Sequence, residues 1–326
     1  MRVATRRAGV AAALARAGGT PLSGETLARD LGISRPAVAK HVSALRSLGY
    51  VIEATAGVGY RLVSAPDACI PEEVCPRLAD AFWVGCTGGP ETQSTNEDAK
   101  RLAREGAEEG TVVVAGRQSA GRGRFGRVWV SPEGGVYASV ILRPSIAPPD
   151  IAPLPLVIAV GVARGLGTLG SPVGLKWPND VLLDGRKLAG ILVESAAEAD
   201  RIEWVVAGVG VNVARAAYKG GMCVRAAVPE AAVAEVAAAV LDGIAGAYHA
   251  FRTSGFTAVR EEYLALGTLW GRRVLVRDWG GHLVADGIAE GVDASGALLV
   301  SGAAGTHCVR AGEVTLADPD APLTRP

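Results

Sequence analysis

Apolar positions near the N-terminus recur at helical spacing in two short runs. The first run predicts a helix over residues 24–31 that ends at Gly32. Ser34 is a suitable N-cap for a second helix, which extends to Leu48, because a serine hydroxyl satisfies a free backbone N–H. The predicted inward positions of this second helix are Ala37, Val38, Val42, Leu45 and Leu48. Two helices joined by a tight glycine turn form a helix-turn-helix.

The next segment, residues 50–63, contains two β-runs around a glycine-rich tip, as in the wing of a winged helix. The second helix of such a domain enters the major groove of DNA. The residues predicted to contact DNA are Ser34, Arg35, Lys40, His41 and Arg46. Two alternatives stay open, since a winged helix can serve only for dimerisation or can have lost its operator.

Charge is unevenly distributed along the chain. Acidic and basic residues balance at 33 each, but residues 1–61 contain nine basic and only three acidic residues. A basic end on an otherwise acidic chain favours a nucleic-acid-binding module.

From about residue 83 the pattern changes to alternating strands and helices, which is typical of an α/β domain. Residues 64–82 contain three prolines and predict a linker with one short helix. Residues 110–118 predict a buried strand that ends at Gln118. Ser94 and Thr95 precede a predicted helix over residues 96–105, where they can act as an N-cap alone or can also bind a polar ligand.

Directly after the strand, residues 116–135 read GRQSAGRGRFGRVWVSPEGG, with four arginines among the glycines. A glycine-rich turn after a strand presents backbone N–H groups to an anion. Arginine adds planar, permanently charged donors for phosphate or carboxylate. Alone, the segment is also compatible with RNA binding or a mobile surface loop, and the GxxxxGKS/T pattern of a phosphate-binding loop is missing.

Asp184-Gly185 predicts a tight hairpin turn between strands at about 180–183 and 186–194. The hairpin would return Lys187 towards Lys176, Asn179 and Asp180. Only five of the 33 basic residues are lysines, and two of them lie in this segment. A compact ammonium group fits a tight site better than a guanidinium does. The alternative is that Lys187 is a solvated hairpin residue.

Length and composition set the frame for these motifs. A chain of 326 residues suits two or three domains, and 49% hydrophobic with 20% charged residues is typical of a soluble globular protein. No membrane span is expected. Five cysteines without a CxxC pair predict neither a zinc site nor a disulfide framework, and a cytoplasmic location is expected. Short strands after residue 267 predict a small β-barrel.

Five motifs in this order, STN, GRGRFGRVWVSPEGGVYAS, KWPND, GRKLAGILVE and GVGVNV, resemble those of the biotin–protein ligases. With the helix-turn-helix, the chain is similar to the bifunctional ligase and biotin operon repressor subclass. The resemblance implies an α+β multidomain protein: a winged helix-turn-helix (1–64), a mixed α/β ligase domain of the biotin/lipoate ligase type (65–266) and a small β-barrel (267–318). Residues 319–326 are predicted to be a disordered tail.

The family's reaction uses ATP and biotin to make biotinyl-5′-AMP, and then transfers biotin to a lysine of biotin carboxyl carrier protein. The resemblance also implies Mg²⁺ with ATP, a homodimer in the adenylate-bound state and operator DNA as partner. Two alternatives remain: a ligase whose winged helix regulates nothing, and a ligand-binding transcription regulator without catalysis.

Residue roles follow from the motifs. The implied catalytic residues are Lys187, Arg124 and Arg122. The implied biotin contacts are Ser94, Thr95, Gln118, Gly121, Arg122, Arg124, Gly135, Tyr137, Ser139, Lys187 and Gly190. The implied ATP contacts are Arg124, Arg127, Trp129, Lys176, Asn179, Asn212 and Tyr218. Tyr218 is the one aromatic residue of a segment that is also compatible with a plain surface loop. No metal ligands are assigned, although Asp180 is a candidate.

Overall fold

The computed structural model describes residues 5–198, 201–303 and 305–317. Its N-terminal part consists of three helices and a two-stranded hairpin: α1 (Arg6–Arg16), α2 (Gly24–Leu31), α3 (Arg35–Ser47), β1 (Val51–Thr55) and β2 (Gly59–Ser64). Ser23 and Ser34 accept hydrogen bonds from the backbone N–H groups of residues 26 and 37, and Gly32 ends α2 in a left-handed conformation. The predicted winged helix is thereby confirmed, while α1 was not predicted.

Residues 65–82 do form the predicted single short helix, α4 (Pro71–Val74), but they are packed rather than solvated. Ile70 and Val74 are buried. Glu72 is 2% exposed and forms an ion pair of 2.6 Å with Arg7 of α1. Apolar burial and a shielded ion pair therefore attach the winged helix to the rest of the chain.

The central part is a seven-stranded mixed sheet with the order β3-β4-β5-β9-β8-β7-β6. Its strands are β3 (Gly85–Thr92), β4 (Thr111–Gln118), β5 (Gly135–Leu142), β6 (Gly174–Lys176), β7 (Asp180–Leu183), β8 (Arg186–Glu198) and β9 (Arg201–Asn212). Only the pair β3–β4 is parallel. The predicted hairpin turn is confirmed, since Asp184 and Gly185 have φ values of 50° and 71°.

Helices cover both faces of this sheet. α5 (Thr95–Arg104) packs on one face, and α6 (Leu154–Thr168), α7 (Val233–Ser254) and α8 (Thr257–Leu266) pack on the other. A Cβ atom on Gly165 of α6 would lie 2.2 Å from the carbonyl oxygen of Ala239 on α7. Glycine thus permits the close approach of the two helices.

One helical segment has the length and apolar composition of a membrane span. The segment Pro148–Thr168 is long and apolar enough to cross a bilayer, with a mean hydropathy of 1.6, but 67% of it is buried inside the protein. Its apolar character is that of a core helix packed between the sheet and α7.

The C-terminal part is a five-stranded antiparallel sheet with the order β13-β12-β11-β10-β14. Its strands are β10 (Arg273–Arg277), β11 (Leu283–Val292), β12 (Leu298–Gly302), β13 (Gly305–Val309) and β14 (Glu313–Leu316). The small β-barrel expected from the sequence is observed as a sheet in which, among the described residues, β13 and β14 form opposite edges. The predicted disordered tail lies outside the described residues.

The cysteines require a correction. Cys75 and Cys86 form a disulfide, although no disulfide was expected. The spacing of 11 residues conceals the pair, because the segment of residues 76–84 returns the chain to the start of β3 and brings the two Cα atoms within 5.8 Å. Cys69, Cys223 and Cys308 are free thiols.

Candidate functional site

A cavity lies on the α5 face of the central sheet. Its walls come from the start of α5, the Gly/Arg loop (residues 119–134, between β4 and β5), the hairpin β7–β8, strand β9 and the C-terminal domain. The lining includes Ser94, Thr95, Asn96, Gln118, Arg122, Arg124, Arg127, Trp129, Lys176, Asn179, Asp180, Lys187, Gly190, Gly208, Gly210 and Glu313. Most residues predicted for biotin and ATP therefore meet in one place.

The floor of the cavity is a patch of sheet without side chains. Gly190 of β8 and Gly210 of β9 lie opposite each other in register. Cβ atoms at these positions would lie 3.0 Å and 2.4 Å from the indole of Trp129. The two glycines therefore let the indole lie against the backbone, and its buried Nε1–H has no hydrogen-bond partner among the described residues.

One end of the cavity is polar. The Gln118 side-chain oxygen accepts hydrogen bonds from the backbone N–H of Thr95 at 2.8 Å and from the Thr95 hydroxyl at 3.1 Å. Ser139 lies beneath, with its hydroxyl 2.8 Å from Thr95 Oγ1 and 2.6 Å from Asn96 Oδ1. These mutual contacts fix the orientation of several donors and acceptors before any ligand arrives.

Ser94 occupies the N-cap position of α5, yet its side chain makes no capping hydrogen bond. The residue is 3% exposed and lines the cavity. The N-cap alternative therefore does not account for this hydroxyl, which is available to a ligand.

The other end of the cavity carries positive charge. Lys187 Nζ lies 2.5 Å from Asp180 Oδ1 and 5.4 Å from the centre of the Trp129 ring. Arg124 donates to Asn179 Oδ1 at 3.3 Å, and burial lowers the pKa of its guanidinium. Lys187 is thus a cavity residue rather than a solvated hairpin residue.

The C-terminal domain closes this end, which sequence patterns did not reveal. Arg127 pairs with Glu313 at 2.7 Å, and Arg124 donates to the carbonyl oxygen of Gly312 at 3.4 Å. The hydrogen bond from Arg127 lowers the pKa of Glu313, with further contributions from Lys176 and Arg124. The Gly/Arg loop is therefore held to a domain almost 200 positions further along the chain.

Several predicted contacts do not line the cavity. Tyr137 donates its hydroxyl to the carbonyl oxygen of Pro132 at 2.7 Å, and Gly135 lies beside that hydroxyl. The Asn212 amide donates to the carbonyl oxygen of Met222 at 3.0 Å. Tyr218 is 43% exposed on the surface. Gly135, Tyr137 and Asn212 share the sheet face of the glycine floor, since Tyr137 lies opposite Gly210 and Gly135 lies opposite Asn212. Their side chains are bonded to neighbouring segments instead, and Tyr218 belongs to the loop after β9.

Two other predicted contacts have supporting positions. Ser139 is buried and hydrogen-bonds Thr95 and Asn96 of α5. Gly121 lies at the base of the Gly/Arg loop, where a Cβ atom would be 2.4 Å from the carbonyl oxygen of Trp129. Residue-type patterns did not assign Asn96, although it belongs to the STN motif and fills the space above Gly208.

A second groove separates α3 from the wing and is lined by Arg35, Pro36 and residues 54–60. Arg35 and Lys40 are exposed, and burial followed by repulsion from Arg7 and Lys40 lowers the pKa of His41. Ser34 caps α3. Arg46 is also exposed, and its guanidinium donates to the carbonyl oxygen of Ile52 at 2.7 Å and 3.0 Å, which attaches α3 to the first strand of the wing.

Comparison with known proteins matches all three parts of the chain. Residues 6–61 match a helix-turn-helix domain, residues 88–212 the biotin/lipoate A/B protein ligase family, and residues 270–316 the biotin protein ligase C-terminal domain. The chain is 42% identical over 201 residues to the bifunctional ligase/repressor of Bacillus subtilis, an alignment that spans 61% of this chain and 62% of that protein, less than two thirds of its length.

The match to the bifunctional ligase/repressor of Escherichia coli is longer, at 32% identity over 291 residues, and covers 85% of this chain and 87% of that protein. A solved structure of the Aquifex aeolicus biotin protein ligase in complex with biotin and ATP superposes with a TM-score of 0.61 at 28% identity, and covers 71% of this chain and 97% of that chain. The chain therefore belongs to the biotin protein ligase family and also contains a helix-turn-helix domain.

Proposed function

We propose that this chain is an ATP-dependent biotin–protein ligase that forms biotinyl-5′-AMP and transfers biotin to a lysine of biotin carboxyl carrier protein. One observation carries the proposal. A single cavity has a polar end at Thr95 and Gln118, an apolar glycine floor, and a cationic end at Arg124, Lys176 and Lys187. The groups of biotin follow the same order along the molecule: a polar ring, an apolar chain and a carboxylate.

Biotin would lie with its ring at the polar end, where Ser94, Thr95 and Gln118 offer hydroxyl and amide groups to its polar atoms. The aliphatic chain would pass along the glycine floor beside the indole of Trp129. The carboxylate would then arrive at the cationic end, beneath the Gly/Arg loop.

There, one carboxylate oxygen would attack the α-phosphorus of ATP, and the bond from that phosphorus to the pyrophosphate oxygen would break. Negative charge develops on the phosphoryl oxygens, and Lys187 and Arg124 are fixed positive groups that stabilise it. In the second step an acceptor lysine attacks the acyl carbon, loses a proton and releases AMP. The protein contributes orientation and charge rather than a covalent nucleophile.

Mg²⁺ enters this proposal only with ATP. No group of three or more His, Cys, Asp or Glu side chains suited to a metal occurs in the described residues. Two carboxylates, Asp180 and Glu313, line the cationic end of the cavity, and they are paired with Lys187 and Arg127 respectively. The residues do not form a resident metal site, and no step is assigned to them through the metal. Phosphate oxygens and water commonly supply most Mg²⁺ ligands.

The decisive experiment uses the full chain with biotin, ATP and an apo carrier domain. Biotin-dependent exchange of labelled pyrophosphate into ATP reports the first step, and mass spectrometry of the carrier lysine reports the second. We expect exchange without carrier and one biotinyl group per carrier with it. Absence of exchange at saturating biotin would contradict the ligase function.

We also propose that the winged helix, taken as residues 1–64, binds operator DNA and represses transcription when the adenylate is bound. The exposed Arg35 and Lys40 beside the groove of α3 and the wing support this. A homodimer would present two recognition helices to the DNA. We place the protein in the cytoplasm. A gel-shift titration at fixed salt with DNA upstream of biotin genes tests it.

A further inference from the structure

A buried lysine lies behind the polar end of the cavity. Lys100 of α5 is 8% exposed, and its Nζ lies 2.7 Å from Glu97 Oε1 and 2.8 Å from Glu194 Oε1. One ammonium group thus balances two carboxylates from different elements. None of these three side chains lines the cavity.

Each carboxylate holds a cavity residue on its other side. Glu194 accepts a hydrogen bond of 2.9 Å from the Asn96 amide, which lies between α5 and the sheet. Glu97 pairs with the guanidinium of Arg122. For Arg122 this is the one ion pair among the described residues. Lys100 therefore connects the polar end of the cavity to the Gly/Arg loop.

The two ion pairs of Glu97 differ in permanence. Lys100 is attached to the same helix one turn away and is 10% exposed at its side chain, whereas Arg122 is on a loop and 48% exposed. The hydrogen bonds from Lys100 and then from Arg122 lower the pKa of Glu97, so this carboxylate is charged at neutral pH. Loss of Arg122 would leave Glu97 paired with Lys100.

We propose that Glu97 holds Arg122 only while the cavity lacks an anion, and that Lys100 balances Glu97 when Arg122 turns to the ligand. This proposal rests on the proposed function, because it assigns the anion to the carboxylate of biotin and then to the phosphate of its adenylate. Glu97 and Lys100 are positioning residues. They make the ligand's negative charge a condition for freeing the loop arginine.

The exchange makes charge a specificity determinant. A neutral ligand of the same shape offers no substitute for Glu97, so Arg122 stays where it is. A carboxylate ligand competes with Glu97 for Arg122, so the net free energy is the difference between two exposed ion pairs. Since exposed ion pairs change an equilibrium by about two- to fivefold, effects of that size are expected.

The test compares biotin with its uncharged primary amide by titration calorimetry on the full chain. Glu97→Gln should tighten biotin binding by about two- to fivefold relative to the amide, because Arg122 no longer needs to be released. Lys100→Met should weaken biotin relative to the amide, because Glu97 then depends on Arg122 alone. The double variant should return the ratio to that of Glu97→Gln.

Glu91→Gln is the matched control. Glu91 pairs with Arg117 at 2.7 Å with similar exposure, outside the cavity. Glu91→Gln removes the same net charge as Glu97→Gln, and the ratio of the affinities for biotin and its amide should not change. The ratio also separates this mechanism from a structural defect, which would change both affinities together. If Lys100→Met does not fold, as a thermal melt would show, Glu97→Gln decides the question alone.

An unchanged ratio in Glu97→Gln would overturn the exchange while leaving the ligase function intact. Equal gains in Glu91→Gln would also overturn it, because they would show a long-range charge effect. Failure of the wild-type protein to bind biotin would remove the proposed function, and the exchange with it.

Discussion

The substitution Lys187→Ala tests the cationic end of the cavity most directly. Nζ of Lys187 lies 2.5 Å from Asp180 and is supported by the ring of Trp129, so the ammonium is held before ligand arrives. A preorganised donor of this kind contributes about 3–4 kcal/mol to a transition state in a site that excludes water. The Lys187 side chain is 30% exposed, which favours the lower value. The rate of the first step should therefore fall roughly 100-fold.

Asp180 adds to the expected effect. Without Lys187 its carboxylate would face the phosphates unpaired, although Arg124 lies close enough for Asp180 to influence its pKa. The double variant Lys187→Ala with Asp180→Asn removes this repulsion and should recover part of the loss. Lys187→Arg should show a lower exchange rate than the wild-type protein, since a guanidinium is broader than an ammonium group.

Biotin-dependent exchange of pyrophosphate into ATP isolates the first step and is the appropriate assay. Lys219→Ala, at an exposed lysine of the 213–223 loop, is the matched control and should leave exchange unchanged. A rate for Lys187→Ala within about threefold of wild type, less than 1 kcal/mol, would remove Lys187 from the mechanism.

Four further outcomes are expected. Arg124→Gly should speed release of biotinyl-5′-AMP, since Arg124 holds the loop to Asn179 and Gly312, and unrelated lysines should then be biotinylated; wild-type retention of the adenylate would exclude this role. Gly210→Ala places a Cβ atom 2.4 Å from Trp129 Nε1. In calorimetry it should weaken biotin binding at least tenfold and lower the free energy of unfolding by about 1–3 kcal/mol. Gly167 has open space around it, so the control Gly167→Ala should change neither quantity. Burial raises the pKa of the Cys69 thiol to about 12, so iodoacetamide at pH 8 should alkylate exposed Cys308 and spare Cys69 in a peptide map; modification of Cys69 in the folded protein would show that this burial is wrong. Biotinyl-5′-AMP should strengthen self-association and operator binding together in sedimentation and DNA titrations, and equal dimerisation with and without adenylate would mean that the two ends are uncoupled.

Local patterns predicted the features that depend on neighbours in sequence. The boundaries of α2 are those expected from helical spacing and Gly32, and α3 begins directly after Ser34. The turn at Asp184 and Gly185 followed from the same kind of evidence. Backbone preferences, capping and side-chain periodicity act within a few residues, so one-dimensional patterns contain them.

The cavity itself was only partly predictable. Lys187 and Asp180 were expected to meet, because a hairpin turn imposes their proximity. Tyr137 and Asn212 were placed at the ligand by motif alone, and they do lie on the sheet face of Gly210. Their side chains, however, donate to the carbonyl oxygens of Pro132 and Met222 rather than line the cavity. Which partner a polar side chain on that face binds depends on the loops that pack beside it, and that is a property of the assembled structure.

The sequence by itself determined the helix-turn-helix, the Gly/Arg loop and the lysine hairpin. Tertiary structure alone decided that Glu313 closes the cavity from the C-terminal domain and that Cys75 meets Cys86. It also decided that Lys100, an apparently ordinary helix residue, lies between Glu97 and Glu194. The physical reason is that contacts between distant segments depend on how the layers pack, and no local signal in the chain records that packing.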